Sequence, residues 1–146
     1  PAVKAKAQPG ISYKYFEPTG KIDMNVFNSV NPTKTGTTNI VSINEKQRQD
    51  KFALLFEGYI KIDKDGPYNF FLASDDGSKL FLDNMEIIDN DGDHGTVEKN
   101  GKAFLRKGFH KIKIMYFDSG GGNELKLAMQ PEGGKRTAVP ASVLYH

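Results

Sequence analysis

Cysteine is absent from the 146 residues, and with it disulfides, thiolate zinc sites and cysteine nucleophiles. Tryptophan is absent too, which removes the widest flat platform on which a sugar ring can stack. No apolar run approaches the roughly 18 residues of a membrane-spanning helix, so membrane insertion is not expected. Nor does any stretch have the make-up of a signal peptide. Neither sign of charge dominates: 20 basic residues against 18 acidic ones leave a net +2, with the lysines scattered along the chain. A nucleic-acid footprint gathers them on one face, so nucleic acid is not an expected partner. Sustained helical periodicity is missing as well. The best candidate, residues 44–51 (NEKQRQDK), is polar all round and reads as a loop.

What remains is enough apolar material, 38% of residues, for one core at this length but not for two comfortable domains. Residues 1–11 open on an Ala-, Lys- and Pro-rich stretch that reads as a linker from a preceding domain. Residues 12–146 read as one domain. Within it, short apolar or alternating segments are separated by frequent turn signals. Residues 52–62 (FALLFEGYIKI) and 68–73 (YNFFLA) flank the turn Asp63-Lys64-Asp65-Gly66. Residues 79–83, 86–89, 103–106, 110–117 and 124–130 continue the series, and in 110–117 Ile112, Ile114 and Tyr116 share one face. Residues 20–50, rich in Asn, Thr, Lys and Gly, are expected to wrap the domain as long loops, with one short strand at 40–43. Many short strands and almost no helix predict an all-β fold, an antiparallel sandwich or barrel with long loops.

Three segments could carry chemistry. Ser74-Asp75-Asp76-Gly77 is composed like a turn, since Asp, Ser and Gly bond their own backbone and tolerate positive φ. Two successive carboxylates also offer a hard cation such as calcium its preferred oxygen ligands. Consecutive side chains of an extended chain point to opposite faces, so chelation by both requires an unusual peptide, and a cis Asp75–Asp76 bond would meet that need. Residues 89–95 (DNDGDHG) superficially resemble the first half of an EF-hand loop. His94 replaces its turn glycine and Asn100 its bidentate glutamate, so that reading is excluded. An ion- or sugar-facing loop and a hydrogen-bonded turn both stay open there, and His94 alone has no partner spacing for catalysis. Asp118-Ser119-Gly120-Gly121-Gly122-Asn123 lacks the Lys-Ser/Thr pair of a phosphate loop. Its glycines suit either a flexible hairpin tip or carbonyls that ligate a cation.

Taken together these residues resemble the PA14 family. The resemblance runs over residues 12–145. It is carried by GYI (58–60), GPYNF (66–70), SDDGSKLFLDN (74–84), IIDNDGDHG (87–95), GFHKIKIMYFDSGGG (108–122) and VPASVLY (139–145). It implies a twisted antiparallel β-sandwich appended to glycosidases, glycosyltransferases, adhesins or toxins. It also implies a calcium site: Asp75 and Asp76 match a cis-linked ligand pair, Asp118 a second-loop side chain, and Gly120 and Gly122 the carbonyls behind it. Asn90, Asp91, Asp93, His94 and Asn123 are then expected to face a glycan. The function implied is a non-catalytic, weakly glycan-binding accessory module of a glycoside hydrolase, possible parents including β-N-acetylhexosaminidase-like enzymes. It would be extracellular, periplasmic or on the cell surface, monomeric when isolated, and joined to the catalytic domain of the same polypeptide. A spacer that packs on that domain and binds nothing is the alternative.

Overall fold

The computed structural model describes residues 7–146, and these form two antiparallel sheets packed face to face. The elements are β1 (Ile11–Phe16), α1 (Val26–Ser29), β2 (Lys34–Thr38), β3 (Phe52–Ile62), β4 (Gly66–Asp75), β5 (Ser78–Leu82) and β6 (Met85–Asn90), then β7 (Val97–Leu105), β8 (Gly108–Asp118), β9 (Glu124–Pro131), β10 (Thr137–Ala138), a 3-10 turn (Ala141–Val143) and β11 (Leu144–Tyr145). The larger sheet runs β2-β1-β3-β8-β5-β6, with β11 also paired to β3; the smaller runs β10-β9-β4-β7. The all-β sandwich expected from the sequence is therefore the fold. Among the described residues, no helix is long and apolar enough to cross a membrane.

Period-two patterning decides which side chains meet between the sheets. From β3, Phe52, Leu54, Phe56, Ile60 and Ile62 point inward; from β4, Tyr68, Phe70 and Leu72; from β8, Ile112, Ile114 and Tyr116. All are buried, and each large side chain so placed contributes about 1.5–3 kcal/mol of transfer free energy. A second, smaller cluster lies on the outer side of the larger sheet. There Phe16, Ala53 and Phe117 pack against Ile22 and Val26 of the β1–β2 connection, and Phe27 of α1 meets Phe16 edge-on at 5.3 Å.

Residues 20–50 depart from the sequence expectation. The strand in this region is Lys34–Thr38, not 40–43. Thr and Gly at an exposed sheet edge carry no apolar alternation, so β2 has little signal. The apolar residues at 40–43 mark instead a non-strand segment that drops Val41 into the main core, with Ile43 packed against it. A four-residue helix, α1, was not anticipated. Residues 44–51 are a loop, as expected. Of the expected linker 1–11, residues 1–6 lie outside the described residues. Pro9 bridges to Tyr145 and Ile11 opens β1, so the end of that stretch belongs to the sheet.

The strand directions bring four connections to one end of the sandwich. The β4–β5 turn, the β6–β7 loop, the β8–β9 loop and the segment leading into β3 all meet there, because Phe52 pairs with Asp118 and Asp75 with Glu124. The far end of β8 is closed differently. His110, 2% exposed, sits between the Asp83 carboxylate and the Arg106 carbonyl at 2.7 Å each.

Candidate functional site

At the loop end, Asp75, Asp76 and Asp118 each offer a carboxylate oxygen, and the three oxygens lie within 4.8 Å of one another. The Asp75–Asp76 peptide bond is cis. Asp118 is wholly buried and Asp76 is 6% exposed, while Asp75 is half-buried. The surrounding backbone holds two of the three. Asp76 Oδ2 accepts the Ser119 N–H at 2.8 Å and its hydroxyl at 3.1 Å, and Oδ1 accepts the His94 N–H at 3.0 Å. Asp118 Oδ2 accepts the Lys51 N–H at 2.9 Å. Its other oxygen, Oδ1, is buried and has no donor.

Burial and the neighbouring carboxylates both raise the proton affinity of Asp75 and Asp118. Burial first, then the charges of Asp76, His94 and Glu124 in opposing senses, leave the Asp75 carboxyl above its ordinary value. Burial, followed by Asp76 and Asp75 and opposed by the Lys51 N–H, pushes Asp118 up to about 6. Burial and the same carboxylates carry the Tyr116 phenol well above its ordinary range, so it stays protonated and donates to the Asp75 carbonyl at 2.6 Å. An orphaned carboxylate oxygen beside two others is a donor set that suits a hard cation, which takes all-oxygen coordination at about 2.3–2.6 Å. Soft metals that prefer sulfur or imidazole find no ligand among these three.

The glycines shape the wall of this site. A Cβ on Gly122 would lie 3.3 Å from Asp75 Oδ2, and one on Gly77 only 2.4 Å from the Phe117 ring. Gly120 and Gly121 have φ of 141° and 76°, which a side chain would resist. The β8–β9 loop thus passes against Asp75, and it carries the Gly120 and Gly122 carbonyls singled out from the sequence.

The residues match the PA14 domain over 7–142. The chain belongs to the PA14 family. Among sequences, this PA14 domain is 26% identical over 106 residues to a provisionally named β-glucosidase of Schizosaccharomyces pombe, covering 66% of this chain. It spans only 13% of that protein, and 15% of an anti-sigma-I factor of Acetivibrio thermocellus to which it is 24% identical over 98 residues, 66% of this chain. Among structures, it superposes on the PA14 sugar-binding domain of an RTX adhesin with a TM-score of 0.81 at 15% identity, covering 99% of both chains. The A domain of epithelial adhesin 6 from Candida glabrata, solved with Galβ1-3GlcNAc, gives 0.72 at 13% identity, covering 97% of this chain and 88% of that one. Those two likenesses establish the fold.

The five residues expected to face a glycan in this PA14 domain fare differently. Asn90 is fully buried. Its amide donates to the Leu72 carbonyl at 3.2 Å, the Ser74 hydroxyl at 3.3 Å and the Val97 carbonyl at 2.8 Å. It braces the strands beneath the aspartate turn and does not reach solvent. Asn123 is spent on the neighbouring loop, donating to the Gln49 carbonyl at 2.6 Å and accepting from Lys46 at 3.0 Å. Asp91 takes the Gly92 N–H at 2.7 Å, which makes it a turn former, and Asp93 is exposed beside it. His94 acts through its backbone N–H on Asp76, with its ring held between the Gly95 and Asn90 carbonyls at 2.7 and 2.9 Å. Burial alone would lower the His94 pKa; the two carbonyls, then Asp76 and Asp75, outweigh it and leave it raised.

Several supporting residues act in ways that the sequence did not assign to them. Lys51 and Ser119 contribute backbone donors. Ser74 and Ser78 share a hydrogen bond of 2.5 Å, and the Ser74 hydroxyl reaches the Asp76 carbonyl at 2.8 Å. Ser74, Ser78 and Asn90 are all fully buried, a polar layer directly under the carboxylates. Only the strand register reveals it.

Proposed function

We propose that this PA14 domain is a non-catalytic carbohydrate-binding module that holds one calcium ion on Asp75, Asp76 and Asp118, with carbonyls of Gly120 and Gly122 completing the set. The observation that carries the reading is Asp118 Oδ1, a buried carboxylate oxygen without a donor. Leaving such a group unpaired is costly, and a cation between the three aspartates removes the cost. Bound there, calcium supplies coordination positions that sugar hydroxyls fill in place of water. The protein's own residues fix the site: Lys51, Ser119 and His94 orient the carboxylates, and the serine–asparagine layer supports the turn below them.

A catalytic role for the same carboxylates is disfavoured. Paired glycosidase carboxylates stand about 5–10 Å apart across a cleft, whereas Asp75 and Asp76 share one turn. Binding is expected to be weak, because no tryptophan platform exists and Asn90 and Asn123 are already committed. A dissociation constant near 1 mM corresponds to only about 4 kcal/mol. We further propose a parent that is a secreted or envelope glycoside hydrolase, a reading supported by the β-glucosidase relative. A β-N-acetylhexosaminidase-like parent draws on the family resemblance alone. The spacer alternative has Phe104 and Met85, each 67% exposed, in its favour, but single exposed apolar side chains are ordinary on a soluble domain.

Titration by NMR with methyl galactoside and with N-acetylglucosamine, in calcium and in chelator, tests the reading. Shifts confined to residues near Asp75, Asp93 and Gly120, and abolished by chelator, are expected. A flat response at tens of millimolar sugar would leave the spacer as the better account.

A further inference from the structure

Besides the β8–β9 loop, whose Ser119 holds Asp76, two further loops grip the carboxylates, and they differ in charge. The β6–β7 loop reaches Asp76 through His94 and carries Asp91 and Asp93, with Asp89 near the end of β6 leading into it. The segment before β3 reaches Asp118 through Lys51 and carries Lys46, Arg48 and Lys51 against Glu45 and Asp50, a small positive excess, with Glu45 accepting from the Thr38 hydroxyl. Not all of that positive charge is at liberty. Arg48 is spent on backbone: its Nε donates to the Asp50 and Lys51 carbonyls at 3.1 and 3.0 Å, and its Nη2 donates to the Pro18 carbonyl at 3.3 Å and also to Lys51. Lys46 and Lys51 are in none of the ion pairs formed among the described residues.

Lys51 is held with unusual firmness for an exposed lysine. Its φ is 58°, the left-handed region that glycine and asparagine enter more readily. Its N–H is fixed by Asp118 and its carbonyl by Arg48, so the direction in which the side chain leaves the backbone is set. That side chain runs over the glycine loop, with Cε 3.8 Å from where a Gly120 Cβ would be. At the other end of the same loop the Lys46 ammonium donates to Asn123 Oδ1 at 3.0 Å and, more loosely, to the Gln49 carbonyl at 3.5 Å. An ammonium has three donors, so Lys46 keeps capacity for a ligand. Two cations thus flank the loop whose carbonyls the proposed function assigns to calcium.

Positive charge beside a cation site works against the ion and in favour of an anion that arrives with it. We infer that the glycan is acidic: a sugar bearing a carboxylate, a uronic acid residue, whose carboxylate is met by Lys51 and Lys46. The inference rests on the calcium-dependent binding proposed above and adds the class of sugar. Lys51 and Lys46 are its specificity-determining residues, and the acidic β6–β7 loop leaves only uncharged hydroxyls acceptable on its own side.

The test compares the methyl glycosides of glucuronic and galacturonic acid with those of glucose and galactose, by NMR titration of the whole chain at fixed free calcium. The acidic sugars are expected to bind about threefold to tenfold more tightly at low salt, the range of two exposed ion pairs, with the advantage shrinking as salt is added. Lys51→Asn suits the left-handed backbone and Lys46→Gln keeps a donor for Asn123, so neither variant should disturb the fold. Each should reduce the preference, and together they should abolish it. Calcium titration without sugar gives an independent readout, because Lys51→Asn should tighten calcium binding by about twofold. Equal binding of acidic and neutral sugars, or a preference that survives in the double variant, would overturn the inference while leaving calcium-dependent binding intact. Calcium bound with no response to any of the four sugars would overturn the glycan reading and this inference with it.

Discussion

Replacing Asp118 by asparagine should move stability in opposite directions with and without calcium. Asparagine keeps an oxygen to accept the Lys51 N–H, 2.9 Å from Oδ2 in the native protein. It also converts the orphaned Oδ1 position into an amide that can donate toward the neighbouring carboxylates. At the same time it removes a charge the fold resists, since the native carboxyl is raised from 3.8 to about 6. Each tenfold change in proton affinity is worth about 1.4 kcal/mol. The ionised carboxylate therefore costs the metal-free fold up to about 3 kcal/mol at neutral pH. In chelator, Asp118→Asn should be the more stable protein. About 1 kcal/mol moves the melting temperature of a domain near this size by roughly 2–4 °C, so the rise should be several degrees. In calcium at a hundredfold excess over its dissociation constant, the native protein gains about 2.7 kcal/mol, and the variant should gain little. Thermal melts followed by circular dichroism, both proteins in both conditions, measure all four values. A variant that melts below the native protein in chelator would refute the electrostatic argument. One that keeps the full calcium gain would remove Asp118 from the ligand set.

Acid should act on the same group with a defined sign. The folded-state pKa of Asp118 lies above its ordinary 3.8, so the contribution is fully present below about pH 4 and is lost as pH rises toward about 6. Metal-free stability from this site should fall across that window in urea titrations, while calcium affinity should rise across it, because a carboxyl must shed its proton to become a ligand. Gly77→Ala would place a Cβ 2.4 Å from the Phe117 ring and 3.0 Å from the Gly92 nitrogen; overpacking of this kind costs about 1–3 kcal/mol, readable as a lowered denaturant midpoint. Asn90→Ala strips donors from the Leu72 and Val97 carbonyls and the Ser74 hydroxyl. It should cost about 1–3 kcal/mol to the same extent with and without calcium, whereas a ligand-contacting role would show as a loss of sugar shifts at unchanged stability.

Much of the fold was legible because its central strands obey a period of two. Ile112, Ile114 and Tyr116 alternate with Lys111, Lys113 and Met115, and that pattern alone places one face of β8 in the core. Edge strands gave no such signal. Lys34–Thr38 and most of Val97–Leu105 are polar and exposed, so nothing in their composition separates them from loop, and Val41 imitated a strand by plugging the core from a bend. Among the candidate ligands, Asp75, Asp76 and Asp118 stood out by residue type, since carboxylates are what a hard cation seeks. Asn90 and Asn123 also stood out by residue type, and the structure engages both in hydrogen bonds within the protein, Asn90 fully buried. An amide suits a sugar hydroxyl and a backbone carbonyl equally well, and only the register of β6 against β5 and the course of residues 44–51 decide between them. Lys51 was invisible for the opposite reason: its role at Asp118 is played by a backbone N–H, which every residue but proline possesses.

The most direct measurement is a calorimetric titration of calcium into chelator-stripped protein at neutral pH, with Asp76→Asn alongside. The account predicts one ion per chain for the native protein and none for the variant, with the variant still folded by circular dichroism. The absence of calcium binding in the native protein, or binding that persists unchanged in Asp76→Asn, would contradict it.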